Sequence, residues 1–233
     1  MKSICMGWLL LLASVSIASA DVLIKQQVKT PAFMMMPAKT ELSEMWLGDG
    51  VMATHSKENS FILNAKAKTM VMINHEDKSY IETTLPPDMS KLMPAEAAQA
   101  MSAMMQNMKV TVERAGAKRK VAGIDTVSYN VTMNMMGMPM VSTYWVAESG
   151  LPFDWKQYQE LNSNLAQVSM KGGEAITKEM AKMQGFPLAT EVKVMGMNVV
   201  TETTEIQTDA KPKADTYKAP EDYVKKDRLV DAQ

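Results

Sequence analysis

The sequence predicts a mainly β fold, an antiparallel sheet with a few helices inserted midway. Three observations point there. Val127–Met135 alternates cleanly, with Val127, Tyr129, Val131, Met133 and Met135 on one side and Ser128, Asn130, Thr132 and Asn134 on the other. That is the period of a half-buried strand. Short β-favouring runs recur through the first third of the chain, joined by links of Lys, Asn, Asp and Glu. The Ala-, Gln- and Met-rich stretch from Pro94 to Met108 instead has a helical period.

The elements follow in order. The first twenty residues read as a secretory signal peptide: Lys2, the short apolar run Trp8–Ile17, then Ala18-Ser19-Ala20 as a cleavage site. The run is shorter than the roughly 20 residues that span a bilayer. The only cysteine, Cys5, leaves with the signal, and with it go disulfides, thiol catalysis and cysteine zinc sites. After cleavage no integral membrane segment is expected. Residues 21–224 are read as one domain and 225–233 as a flexible tail.

Val22–Val28 reads as the first strand, and Pro31–Pro37, holding Met34, Met35 and Met36, as a loop. Thr40–Leu47 and the run from Val51 to His55 form a hairpin about Gly48-Asp49-Gly50. Ser60–Leu63, Thr69–Ile73 and Ser79–Thr84 are further strands, and Pro86-Pro87 ends the pattern. A helix from Pro94 carries Met101, Met104, Met105 and Met108 in one stripe at i, i+3, i+4, i+7. Val110–Val112 returns to strand, and Ala115–Lys120 reads as a charged turn. Val127–Met135 and Met138–Ala147 form a hairpin through Met136-Gly137. Asp154–Met170 and Glu174–Gln184 read as helices, the second closed by Gly185. Glu191–Met195 and Met197–Ile206 form a last hairpin about Gly196. In the tail, Pro220–Tyr223 is expected to dock and the residues beyond Lys225 to be disordered. The total is about eight to eleven strands with a helix to cover their apolar face.

The order of motifs resembles the domain of unknown function 4412 family of exported bacterial proteins, itself similar to the periplasmic lipoprotein carrier LolA. The matching segments are Trp46–Val51, Thr69–Tyr80 with its closing Lys78-Ser79-Tyr80, and Val121–Val131 with Tyr129-Asn130-Val131. Trp145-Val146-Ala147-Glu148, Gly185-Phe186-Pro187-Leu188 and Tyr217–Tyr223 follow. Many relatives carry a cysteine shortly before Tyr129, where this chain has Thr126 and Val127. The resemblance implies a curved, LolA-like antiparallel half-barrel sheet with a helical lid, and no established activity.

Function hinges on 25 methionines, more than the 4 Phe, 4 Trp and 6 Tyr together. Methionine fills irregular apolar space and repacks readily, its thioether is a soft metal ligand, and it absorbs oxidant reversibly. Three readings follow. In the first, a hydrophobic ligand (lipid, acyl chain or lipidated protein) lies between sheet and lid, touching Met101, Met104, Met105, Met108, Trp46, Tyr129, Val131 and Met133. In the second, Met136, Met138 and Met140 converge with Met195 and Met197 on copper(I) at two hairpin tips. In the third, the methionines buffer oxidant or replace leucine in the core.

Enzyme chemistry finds little equipment. His55 and His75 read as isolated surface residues. Gly172-Gly173 lacks a phosphate-loop pattern, and Asp49, Glu76, Asp77 and Asp154 read as solvated turn residues. A net charge of −1 argues against a nucleic-acid partner, which needs a basic face. The expectation is a periplasmic, non-catalytic binding protein with no cofactor.

Overall fold

The computed structural model describes residues 21–33, 37–106, 108–135, 138–156, 158–159, 173–194 and 196–228. The signal segment, Met34–Met36, Met136, Met195 and the last five residues lie outside these. Among the described residues, twelve strands form one curved open sheet: β1 (Asp21–Thr30), β2 (Lys39–Gly48), β3 (Val51–His55), β4 (Asn59–Asn64), β5 (Thr69–Asn74), β6 (Ser79–Thr84), β7 (Lys109–Val121), β8 (Ile124–Met135), β9 (Met138–Ala147), β10 (Phe186–Val194), β11 (Met197–Ala210) and β12 (Val224–Lys225). Their spatial order is β12-β6-β5-β4-β3-β2-β1-β11-β10-β9-β8-β7. Every pairing is antiparallel except β12 with β6. Helices α1 (Met89–Leu92) and α2 (Ala95–Gln106) follow β6, and α3 (Gly173–Met180) precedes β10.

Successive strand side chains point to opposite faces, so neighbouring buried residues mean that both faces are covered. Leu23 and Ile24 are both buried. Ile24 packs with Phe186, Leu188, Ala147 and Val121 beneath Leu151, Phe153, Trp155 and Tyr158. Tyr158 also reaches Met52 and Leu63 beside Met45 and Leu47. Leu23 packs the other way, with Trp46, Ala53, Ile62 and Ile73 beneath Tyr217, Ala219 and Tyr223. One face therefore lies under the inserted segments and the other under the C-terminal segment.

Register carries this division from β1 outward along a path clear of the shifts in the β1–β11 and β10–β9 ladders. Val28 stands opposite Thr201, Thr201 opposite Thr190, Thr190 opposite Tyr144, and Tyr144 opposite Tyr129. Residues directly opposite share a face, so Tyr129 lies on the face of Val28 and Ile24. There Tyr129, Val131, Val112 and Val146 pack with Met180 and Met183, and Met133 joins them.

Several elements differ from the sequence reading: twelve strands stand where eight to eleven were expected, the helix before β10 ends at Met180 and β10 begins at Phe186. Most of Asp154–Met170, read as a helix, lies outside the described residues. Two further differences bear on the site. Ala115–Lys120 is part of β7 rather than a turn, with a register shift between Arg114 and Lys118 and Gly116 at φ 80°. An edge strand exposed to water carries the same charged residues as a turn. Its backbone is partly capped, since the Val112 N–H donates to Glu179 Oε2 at 3.0 Å. The second difference is α2, which ends at Gln106, short of Met108. Its first ten residues are almost all exposed, Met101 at 37%.

Gly185 enters β10 at φ 152°, and a Cβ there would lie 2.2 Å from the Ala147 carbonyl oxygen. Backbone rather than a movable side chain blocks the space. Gly185→Ala is expected to destabilise the protein by on the order of 2–3 kcal/mol, read as a lower denaturant midpoint with unchanged slope.

Candidate functional site

Two cavities compete, and their chemistry separates them. The first, about 630 Å³, lies among Val112, Arg114, Tyr129, Glu148, Trp155 and Lys182. Gln184 lines it too, and the three polar groups at its centre satisfy one another. Arg114 Nε and Nη2 each donate to Glu148 at 3.0 Å, and Tyr129 O–H donates to Glu148 Oε1 at 2.6 Å. Arg114 and then Tyr129 hold the Glu148 carboxyl below its usual range, while burial and then Glu148 push the Tyr129 hydroxyl up. Lys182 is paired with Glu179 at 2.7 Å. The cluster ties the middles of β7 and β8 to the residue that follows β9 and leaves little unsatisfied for a ligand.

The second cavity, about 550 Å³, is a groove over β3–β6. Phe61 stands opposite Met72 and Met72 opposite Ile81, so the three form a continuous apolar floor. Leu63 on the same strand face packs with Met52, Met45 and Tyr158, which places the floor on the face of the inserted segments. Ser43, Ser56, Asn59, Asn74, Lys226 and Arg228 line the rim. Lys226 Nζ donates to Asp77 Oδ2 at 2.6 Å and its backbone N–H to the Tyr80 carbonyl at 2.8 Å. Lys226 and then Ser79 hold the Asp77 carboxyl low. Arg228 has no ion pair among the described residues.

The C-terminal segment brings those cations to the rim. It crosses the opposite face, where Tyr217 donates to Asp21 Oδ2 at 2.7 Å, then adds β12 to the edge of β6. A four-membered chain pins it. His55 Nε2 lies 3.0 Å from the Thr216 carbonyl, His55 Nδ1 2.8 Å from Ser60 Oγ, Ser60 Oγ 2.7 Å from His75 Nε2, and His75 Nδ1 2.9 Å from Tyr223 Oη. The carbonyl only accepts, so His55 Nε2 donates. In the neutral ring Nδ1 then accepts from Ser60 O–H. Ser60 Oγ accepts from His75 Nε2–H, and His75 Nδ1 accepts from Tyr223 O–H. Two neutral histidines satisfy every bond. The histidines are thus not the isolated surface residues the sequence suggested. Hairpin register puts His55 opposite Ser60, but the partners at 216 and 223 are far along the chain.

The residues singled out from the sequence fall in different places. Tyr129, Val131 and Met133 are together. Trp46 stands opposite Leu23, on the other face, and so is not brought to them. Met101 is exposed on α2, Met104 is half-buried, and Met108 lies past the helix. The side chain of Met105 is outside the described set. Of the hairpin-tip methionines, Met140 and Met197 are half-buried. Register places both on the face of Tyr129, toward one end of the sheet. Met136, Met195 and the side chain of Met138 are outside the described residues. Sequence reasoning missed Phe61, Met72 and Ile81, although each sat in a recognised strand.

A family model described as a domain of unknown function (DUF4412) matches residues 22–223. The chain belongs to this family. No curated protein sequence matches it. Among solved structures, this DUF4412 protein is similar to PNGF-II, with 9% identity over 89% of this chain and a TM-score of 0.43; it spans only 31% of the length of that chain. It is similar to a domain from Vibrio parahaemolyticus described as an outer membrane lipoprotein-sorting protein, with 9% identity over 86% of this chain and 90% of that one, TM-score 0.37. It is also similar to LprF from Mycobacterium bovis, with 12% identity over 84% and 89%, TM-score 0.34. None of these likenesses assigns an activity. No described helix is long and apolar enough to cross a membrane.

Burial pushes the His55 imidazole below its usual 6.5, against smaller opposing effects of the Thr216 carbonyl, Glu44 and Asp215, while His75 adds to the depression. The folded state therefore binds this proton less readily than the unfolded chain. The contribution is complete above pH 6.5 and is lost as the pH falls through the depressed folded value. The melting temperature is expected to decline below pH 6.5, and His55→Gln to flatten that decline. Tyr223→Phe, which removes one hydrogen bond, should cost about 1 kcal/mol at neutral pH, measured by denaturant unfolding.

Proposed function

We propose that this protein is an exported, non-catalytic binder of a hydrophobic ligand: a lipid, an acyl chain or a lipidated partner. The observation that carries the reading is the groove of about 550 Å³ whose floor is Phe61, Met72 and Ile81. Its volume falls within the roughly 300–1,000 Å³ of small-molecule sites, which are mostly apolar with a few placed polar groups. Methionine suits such a floor because an unbranched thioether adapts to chains of different shape. Phe61 and Met72 are only half-buried and Ile81 is buried, so a ligand would remove further apolar surface from water.

In this reading residues 21–224 act as one unit in the periplasm after signal cleavage. In the same reading Met101, Met104, Met105 and Met108 are the residues that would close over a bound chain. No reacting group is required of the groove, whose single lining carboxylate, Asp77, is engaged by Lys226 and Ser79.

The test is titration with the neutral fluorescent probe N-phenyl-1-naphthylamine. Met72→Asp is expected to weaken binding about tenfold or more, since a carboxylate on the floor must be desolvated. Trp46→Phe, on the opposite face, is expected to leave it unchanged. Equal affinity in the wild type and Met72→Asp would contradict the reading.

A further inference from the structure

Resting on that reading, we infer that the groove's ligand is an amphiphile with an anionic head, and that Arg228 receives the head. The floor is apolar, but the rim is asymmetric in charge. Its two cations are Lys226 and Arg228, and its carboxylate is Asp77. Lys226 and Asp77 neutralise each other at 2.6 Å. Glu58, on the neighbouring loop, is taken up by Lys39 at 2.6 Å. The charge left over at the rim is the Arg228 guanidinium, exposed and without an ion-pair partner among the described residues.

The neutral rim groups add donors on the same side. Asn74 Oδ1 accepts from the backbone N–H groups of Glu76 and Asp77, so its amide N–H₂ is the end left for a ligand. A guanidinium and an amide N–H₂ both donate, and a carboxylate or phosphate only accepts. A planar guanidinium also meets two oxygens of such a group at once. An uncharged head would give Arg228 an acceptor but no opposite charge; an acyl chain on Phe61, Met72 and Ile81 with its anion at Arg228 uses both parts of the groove.

The C-terminal segment has a defined role in this. Thr216 and Tyr223 are held by His55 and His75, and β12 is held by β6. Arg228 follows three residues after β12. The segment that covers one face of the sheet thereby supplies the head-group residue to the other.

The experiment is displacement of N-phenyl-1-naphthylamine from the full chain without its signal, using oleate, lysophosphatidylglycerol and oleyl alcohol. At least one of the two anions is expected to bind about tenfold tighter than the alcohol, as a charge-assisted hydrogen bond in a partly dry site allows. The advantage should shrink with added salt. Oleate alone would identify a free carboxylate head and lysophosphatidylglycerol alone a phosphodiester. Arg228→Gln is expected to lower the anions to the affinity of the alcohol and leave the alcohol unchanged. Equal binding of all three ligands, or an equal loss of all three in Arg228→Gln, would overturn the head-group assignment while the binding reading stands. If the probe itself does not bind, the binding reading fails first.

Discussion

The register of β1 between β2 and β11 decides which side chains meet on either face of this sheet. Leu23 opposite Trp46 and Ile24 opposite Met45 set the two faces, and the ladders carry that choice outward in both directions. A slip of one residue would move every side chain to the other face. Ile24, at 0% exposure, and Leu23, at 6%, both anchor the register because both faces are packed at this point. From it follow the placement of Phe61, Met72 and Ile81 on the face of the inserted segments and of His55, Ser60 and Trp46 under the C-terminal segment.

The two faces are put to different uses. On one, apolar side chains are left half-buried in a groove. On the other, polar groups close on one another. Tyr223, His75, Ser60 and His55 form a directional chain that starts at the Tyr223 O–H and ends on the Thr216 carbonyl, and the two histidines and Ser60 each both give and receive. Partly buried polar groups are costly when unpaired, so this chain specifies where the C-terminal segment lies more than it adds net stability. Its placement fixes β12 at the sheet edge and, beyond it, the two cations of the groove rim. The chemistry of the groove thus depends on contacts made on the other face.

Much of the sheet was legible because binary patterning is local. Val51–His55, Ser79–Thr84 and Met138–Ala147 were read with the bounds they have, and others within a few residues. Edges were not. Arg114, Lys118 and Lys120 belong to a solvent-exposed edge strand, and water permits the same composition there as in a turn. The helical period over Pro94–Met108 gave α2 correctly to within two residues at its end, but period says nothing of what a stripe meets; Met101 is exposed. Most of the candidate site was illegible. Phe61, Met72 and Ile81 come from three strands whose registers must all be known before they can be seen to adjoin, and Lys226 and Arg228 come from a tail expected to be disordered. The family resemblance was legible from the order of motifs, because that order follows the chain.

The abundance of methionine then divides by place. Met52, Met93 and Met183 are buried and fill core space. Met72 lines open space, where adaptability is of use to a ligand rather than to packing. The direct test of a ligand held on this floor is nuclear magnetic resonance of the protein with ¹³C-labelled methionine methyls, titrated with a saturating single-chain amphiphile. The account predicts a shift of the Met72 methyl, with Met183, buried beside Tyr129 and Val131, unmoved. A Met72 signal that stays fixed at saturation, or shifts confined to Met183 and its neighbours, would contradict it.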